Sequence, residues 1–423
     1  MKFKNRRPAL KIFCFFFFIV FVGSQSKSSN NKGLKEPETQ VESNSFFTIP
    51  FADIIKHKRE VSLSEIAESV EFVQFENSPK ALLGRISEIQ LTKDYIFLSH
   101  SGIKLLAQFT RDGKFVRYFG TIGRGPKEYA LIRMFSVDEK NKLVYIHTNW
   151  TRKILVYNFD GEYVKTLKFG AVERTQITWG RDSFLVSFGE PDIGNEPFVF
   201  IEHNQNGDTL QGVYNHIFWD KDETSQSMVS FWGQNSFYRL GNKLHLKGWY
   251  NDTVYTYDDQ NKIVPKFFID LEDHKIPDDL VYERKSTRPM PADSYWVGVH
   301  ESSNYIFIPY GSHYNIQTRK QIKDEEGCVL YNKKTKNGIA VNENETGGFI
   351  NDLTGGPDFK PLYTSDSTVF VTVSALDMKL YLDSDKFKKQ TVKFPEEKEK
   401  LAQLNKTLKE DDNPFLMVAK LKK

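Results

Sequence analysis

Cysteine is scarce: the 423-residue chain has two, Cys14 and Cys328. Cys14 lies inside an N-terminal apolar run that continues after it, so it is poorly placed for a lipid anchor. Cys328 then has no partner within the remaining chain and reads as a small buried hydrophobe on a strand. A disulfide framework is excluded, and the fold must hold by its core alone. An excess of one charge is lacking too. Lys+Arg 58 against Asp+Glu 55 leaves a net charge of +3, which offers no electrostatic footprint for nucleic acid. The nine histidines are dispersed. No H-E-x-x-H, no Cys–His pattern and no EF-hand loop occurs, so neither a metal nor a cofactor is expected. Asp377, Asp383 and Asp385 alternate but lack the ligand set of a Ca²⁺ loop, and read as a solvated face. No G-x-S-x-G nucleophile elbow occurs either.

The N-terminus reads as a targeting segment. Lys2, Lys4, Arg6, Arg7 and Lys11 precede an apolar run from Ile12 to Val22, and Gly23-Ser24-Gln25-Ser26 offers small residues for cleavage. This is the pattern of a secretory signal peptide over residues 1–26. The run is short for a membrane span, so no stable membrane insertion is expected after cleavage. The mature protein is expected in the periplasm or outside the cell, as a monomer. Residues 27–49 are polar and aperiodic and read as a disordered tether.

What the chain has in plenty is aromatic residues, 35 Phe and 19 Tyr, which suit half-buried strands. It also repeats itself. Six hairpins are predicted, with turns near Lys93, Asn141, Arg181, Gly241, Ser303 and Asp366. A second hairpin follows in five modules, turning at Asp112-Gly113, Asp160-Gly161, Asn206-Gly207, Gln260-Asn261 and Asn337-Gly338. Asp-Gly and Asn-Gly supply the positive φ that a two-residue hairpin turn requires. Four strands per module at near-even intervals predict an all-β fold, a six-bladed β-propeller over residues 50–423. The fifth interval is longer, and Asp273 to Met290 supplies the insertion.

The sixth module departs from the pattern. After Val373 the chain turns polar and helical, with a helix opening at Pro395-Glu396-Glu397. Phe415 to Leu421 reads as a last strand. Blade six is then expected to take its third strand from the C-terminus and its fourth from Val70–Glu76. Ser62-Leu63-Ser64-Glu65 reads as a capping box before a short helix.

These features resemble the six-bladed propellers exported by Bacteroides-type bacteria, similar in shape to NHL-repeat propellers. The resemblance rests on the G-x-x-G-x-G-P-x-E-Y signature (Gly120, Gly123, Gly125, Pro126, Glu128, Tyr129) and on the Asp-Gly hairpins. Asn251-Asp252-Thr253-Val254-Tyr255 and the Asp412-Asn413-Pro414 ending add to it. It implies the fold and transfers no reaction.

The signature leads from a fourth strand to a first strand, not into a helix, so it reads as a shaped crossover and not a phosphate loop. Arg124 within it is a candidate at the channel mouth. The loops joining second and third strands carry the other candidates: His100, His147, Trp150, Trp249, Tyr250, Tyr310 and His313. Convergent aromatics with polar edges suit a glycan, a peptide or a protein ligand. The plain alternative for each is packing between blades. A non-catalytic binding or scaffold module is the reading the sequence favours. A hydrolase or lyase acting at the channel mouth is the alternative, and an acidic cage at the axis would distinguish it.

Overall fold

In the computed structural model the described residues are 46–148, 153–168, 176–181, 184–188, 197–216, 229–230, 237–248, 251–278, 291, 293–312, 314–315, 320–321, 326–341 and 348–423. The expected signal peptide and residues 27–45 of the expected tether lie outside them. The chain forms a six-bladed β-propeller. Blade one is Ile86–Leu91, Tyr95–His100, Leu106–Thr110 and Phe115–Phe119, paired in that order. Blade two is Ile132–Asp138, Leu143–Thr148, Lys153–Asn158 and Tyr163–Lys168. Blade three is Gln176–Trp179, Leu185–Phe188, Phe198–His203 and Thr209–Tyr214. Blade four runs Phe237–Leu240, Lys243–Lys247, Thr253–Tyr257 and Ile263–Ile269. Blade five starts with a split first strand, Tyr295–Val297 and His300–Glu301, then Tyr305–Ser312, Glu326–Asn332 and Asn337–Val341.

Blade six draws on both ends of the chain. Tyr363–Thr364 and Thr368–Val373 pair next to Phe415–Leu421, and Ala67–Gln74 completes the sheet, with Val70 opposite Ala419 and Phe72 opposite Met417. The alternation over Val70–Glu76 predicts this closure, and the strand that forms is Ala67–Gln74. It joins the two ends of the chain in one sheet, so Phe415–Leu421 is paired on both sides.

The N-terminal segment does more than close the ring. Phe47–Ile49 adds as a parallel fifth strand to blade four, and Lys58–Arg59 adds likewise to blade five. The tether expected up to residue 49 therefore stops short: its last three residues are strand. Between these additions, Phe51 and Ile54 sit in a one-turn helix and enter the core between blades four and five. The expected short helix is a 3₁₀ turn, Leu63–Glu65, with the Ser62–Glu65 capping box formed. The segment thus binds blades four, five and six in succession.

One predicted turn is displaced. Asn337-Gly338 lies in the fourth strand of blade five, and the turn before it has Lys336 at φ 57°. Gly338 is there for contact, since a Cβ would sit 2.3 Å from Cδ1 of Ile54. At the other turns, Gly113, Gly161, Gly207 and Asn261 hold φ of 86°, 80°, 89° and 60°, as the hairpin rule requires. The polar stretch after Val373 makes three helices, Ala375–Asp383, Asp385–Lys389 and Pro395–Asn405, packed on the core of blade six through Met378, Leu382, Phe387 and Leu401. Asp377 takes part in the first of these: its backbone N–H donates to Ser374 Oγ at the helix start.

Candidate functional site

First strands line the axis of a propeller with one edge unpaired, so their backbone groups need other partners. Neighbouring blades provide them. Gln90 of blade one donates to Phe135 O at 2.9 Å and accepts from Val137 N at 3.0 Å. Trp179 of blade three donates through Nε1 to Val137 O at 2.6 Å, and its N–H donates to Ser136 Oγ. Arg239 of blade four donates to Trp179 O and Gly180 O and lies 3.6 Å over the Trp179 ring.

The turns between first and second strands meet at one end of the axis. Lys93 N donates to Glu139 Oε1 at 2.8 Å, joining blades one and two. Asp366, in the blade-six turn, accepts from Gly241 N of blade four, and its carbonyl accepts from Ser303 N of blade five. Blades four and six are not neighbours, so this turn bridges them across the inner end of blade five. The opposite end carries the loops after second strands and the crossovers between blades.

The signature crossover is at that opposite end. Gly120 adopts φ 68°, and Tyr129 Oη donates to Phe119 O at 2.6 Å while accepting from Leu106 N. Glu128 folds back to accept from Gly125 N at 2.8 Å, filling the space that a Cβ on Gly123 would need. The glycines make room for the loop's own carboxylate, which leaves no cradle for a phosphate. Arg124 is exposed on this crossover.

His100 ends the second strand of blade one, His147 is the last residue but one of the second strand of blade two, and both are buried. His100 Nδ1 accepts from Gly84 N at 3.1 Å, which puts the proton on Nε2, and Nε2 has no partner. The nearby Tyr118 hydroxyl also lacks one, with ring centroids 6.3 Å apart. Nδ1 of His147 is likewise unpartnered. Tyr310 is a correction: it is fully buried in the core, edge-on to Phe51 and Tyr295, each at 5.3 Å. The second strand of blade five runs on to Ser312, which draws Tyr310 into the sheet. Trp150, Trp249, Tyr250 and His313 lie outside the described residues.

Sequence reasoning missed two residues at this end. Lys247 ends the second strand of blade four, in register with His147 of blade two and Ser99 of blade one, and is 3% exposed. Asp252 precedes the third strand and is 8% exposed. Lys247 Nζ donates to Gly248 O at 2.7 Å. Burial brings the Lys247 amine down to about 8 and pushes the Asp252 carboxyl up. A signal was present: in Lys243–Lys247 the positions alternating with Leu244 and Leu246 are His245 and Lys247, polar on a strand that the ring buries on both faces.

Between blades four and five lies a second charged group. Glu301 is fully buried and accepts from Lys266 Nζ at 2.8 and 2.7 Å, Lys333 Nζ at 2.9 Å and Tyr238 Oη at 2.8 Å. Burial raises its carboxyl, but the two ammonium groups outweigh burial and hold it down to about 2. His245 stacks on Tyr238 at 4.9 Å, and burial, aided by Lys266, brings it to about 3.

The buried histidines make the fold acid-sensitive. Burial lowers His100, and brings His147 and His300 to about 4. Between pH ~6.5 and those values the unfolded chain holds protons that the native rings refuse, so stability falls as pH falls, by about 1.4 kcal/mol per unit for each ring. Glu88, raised by burial to about 7, acts in the opposite sense over part of that window and offsets one ring. Counting His147, His300 and His245 against Glu88, the expected net loss from pH 7 to pH 5 is about 3 kcal/mol. Urea unfolding at the two pH values measures it, and an unchanged midpoint would show that the rings protonate in place.

The profile of a family described as a domain of unknown function (DUF4934) matches residues 46–420. No curated protein matches the chain. Among solved structures, a Bacteroides fragilis protein described as exported aligns at TM-score 0.65 and 17% identity, covering 89% of this chain and 100% of its own. A DUF4221 family member from Bacteroides vulgatus aligns at TM-score 0.47 and 11% identity, covering 84% and 97%. A virginiamycin B lyase from Staphylococcus aureus aligns at 0.36 and 8%, covering 83% and 99%. The first of these likenesses carries the fold. No helix among the described residues is long and apolar enough to cross a membrane.

Proposed function

We propose that this chain, which belongs to the family described as a domain of unknown function (DUF4934), works as an exported, monomeric, non-catalytic binding module. Its ligand, a glycan, a peptide or a protein, enters at the end of the axis that carries the loops after second strands. One observation carries this reading. At the end opposite the turn that Asp366 bridges from blade six to blade four, His100 and His147 hold ring nitrogens without partners among the described residues, and buried polar groups left open in this way mark places where a ligand supplies the missing bond. Export is supported by the signal-like residues 1–26 and by the exported Bacteroides relative in fold.

Trp150 and Trp249 test the proposal, because an aromatic face in a ligand ring contributes about 1–3 kcal/mol on binding. In a glycan and peptide screen, Trp150→Ala and Trp249→Ala are expected to bind roughly 5- to 150-fold more weakly than wild type, with unchanged melting. A stability loss of roughly 3–5 kcal/mol without a binding defect would mark both as packing residues and remove the proposed face.

A further inference from the structure

We infer that Lys247 and Asp252 are the two poles of a subsite for a ligand bearing an ammonium beside a carbonyl or carboxylate oxygen. An α-amino acid and the free N-terminus of a peptide both have this chemistry. The inference takes from the proposed function only the choice of channel end.

Both side chains are more than nine-tenths buried, and a buried charge is costly unless it is paired. These two are not paired with each other. Each acts on the other through space, yet they lie beyond the 4.0 Å of a direct ion pair. The Lys247 ammonium has three N–H groups and one acceptor, Gly248 O. The Asp252 carboxylate accepts no hydrogen bond from any described residue. An ion pair formed only for stability would close this gap. Here the backbone keeps it open. Lys247 is held in the sheet opposite Val254, and Asp252 O accepts from Ile269 N at 2.9 Å. The Asn251 side chain accepts from Thr253 N, fixing the turn into the third strand.

The surroundings give each pole its sign. Asp270 and Asp278 push the Asp252 carboxyl up, as burial does, so negative charge accumulates there and a cation is favoured. Lys275 opposes them but is itself paired with Asp278 at 3.1 Å. At the other pole the free N–H groups of Lys247 call for an oxygen acceptor. A ligand ammonium at Asp252 and its adjacent oxygen at Lys247 satisfy both poles at once.

Isothermal titration of the mature protein with leucine, Leu-Gly-Gly and N-acetyl-Leu-Gly-Gly tests this. Leucine or Leu-Gly-Gly is expected to bind, and acetylation is expected to abolish binding. Binding of leucine alone would identify the ligand as a free amino acid, and binding of the tripeptide alone as a peptide terminus. Lys247→Met and Asp252→Asn are each expected to weaken binding at least tenfold and to leave the melting temperature equal or higher, since each removes an uncompensated charge. Wild-type protein that binds none of the three probes, or binds the acetylated one equally, overturns the inference; so do variants that melt lower with affinity unchanged. If a variant does not fold, the comparison of free and acetylated probes on wild type still decides. A glycan whose binding depends on Trp150 but not on Lys247 would leave the proposed function standing and remove this subsite.

Discussion

Removing residues 46–76 is expected to abolish cooperative folding. The deletion strips the added strands from blades four and five and the fourth strand from blade six. It takes Ile49, Phe51, Ile54, Val61, Leu63, Val70 and Phe75 out of the core, every one of them buried. At about 1.5–3 kcal/mol for each buried large side chain, the loss reaches the ~5–15 kcal/mol by which a domain of this kind is stable at all. The truncated protein should elute as aggregate and show no sigmoidal thermal transition by circular dichroism. A monomer melting within a few degrees of the full mature chain would mean that blades one to five hold together unaided and that closure by the N-terminal segment is dispensable.

The second large effect is expected at Glu301. Glu301→Ala leaves Lys266 and Lys333 with no carboxylate between blades four and five, and leaves the Tyr238 hydroxyl without its acceptor. Breaking a buried pair from one side costs about 3–5 kcal/mol, because the remaining charge stays desolvated. Replacing the group together, Glu301→Leu with Lys266→Met and Lys333→Met, is expected to recover most of that loss, since an apolar cluster has no desolvation to offset. Urea unfolding of the single and triple variants separates the two cases. A single variant within 1 kcal/mol of wild type, on the scale of an exposed pair, would show that water reaches the group. In wild type, the contribution of Glu301 is present above pH ~4.3 and is lost as pH falls toward about 2, because its native carboxyl lies below the unfolded value.

The blades were legible because each strand carries its own signal. The pattern across Val70–Glu76, aromatic third strands and the Asp-Gly and Asn-Gly turns are local features, and Gly113, Gly161 and Gly207 hold the positive φ that the dipeptides announced. What the sequence concealed was pairing without local pattern. Phe47–Ile49 and Lys58–Arg59 are strands only because a neighbouring edge was available, and strands of two or three residues are too short to show a period. For the same reason Gly338 reads as a turn residue in sequence, when its role is to admit Ile54 from a segment far away. The candidate site was legible by position. Reading to the ends of second strands finds His100 and, one position earlier in its strand, His147. The position of His147 in blade two is that of Lys247 in blade four, passed over because a lysine on a strand looks like an exposed one until both faces of that strand are known to be covered. Tyr310 failed in the opposite way, since an aromatic at a strand end serves a core as readily as a surface.

The pairing of Ala67–Gln74 with Phe415–Leu421 also sets an order of events. Asn413 N–H donates to Asn77 Oδ1, 336 positions away, so a strand made early waits for nearly the last-made residues. Contacts this distant in sequence form slowly, because the chain must lose the freedom of the whole intervening loop before any of them forms. Until then Val70, Phe72 and Val73 present an unpaired edge, the feature that draws other chains into sheets. During synthesis or refolding the vulnerable species is therefore a nearly finished ring, open at a single seam. The rate at which that seam closes, set against the rate at which two such edges meet, decides how much chain reaches the native state.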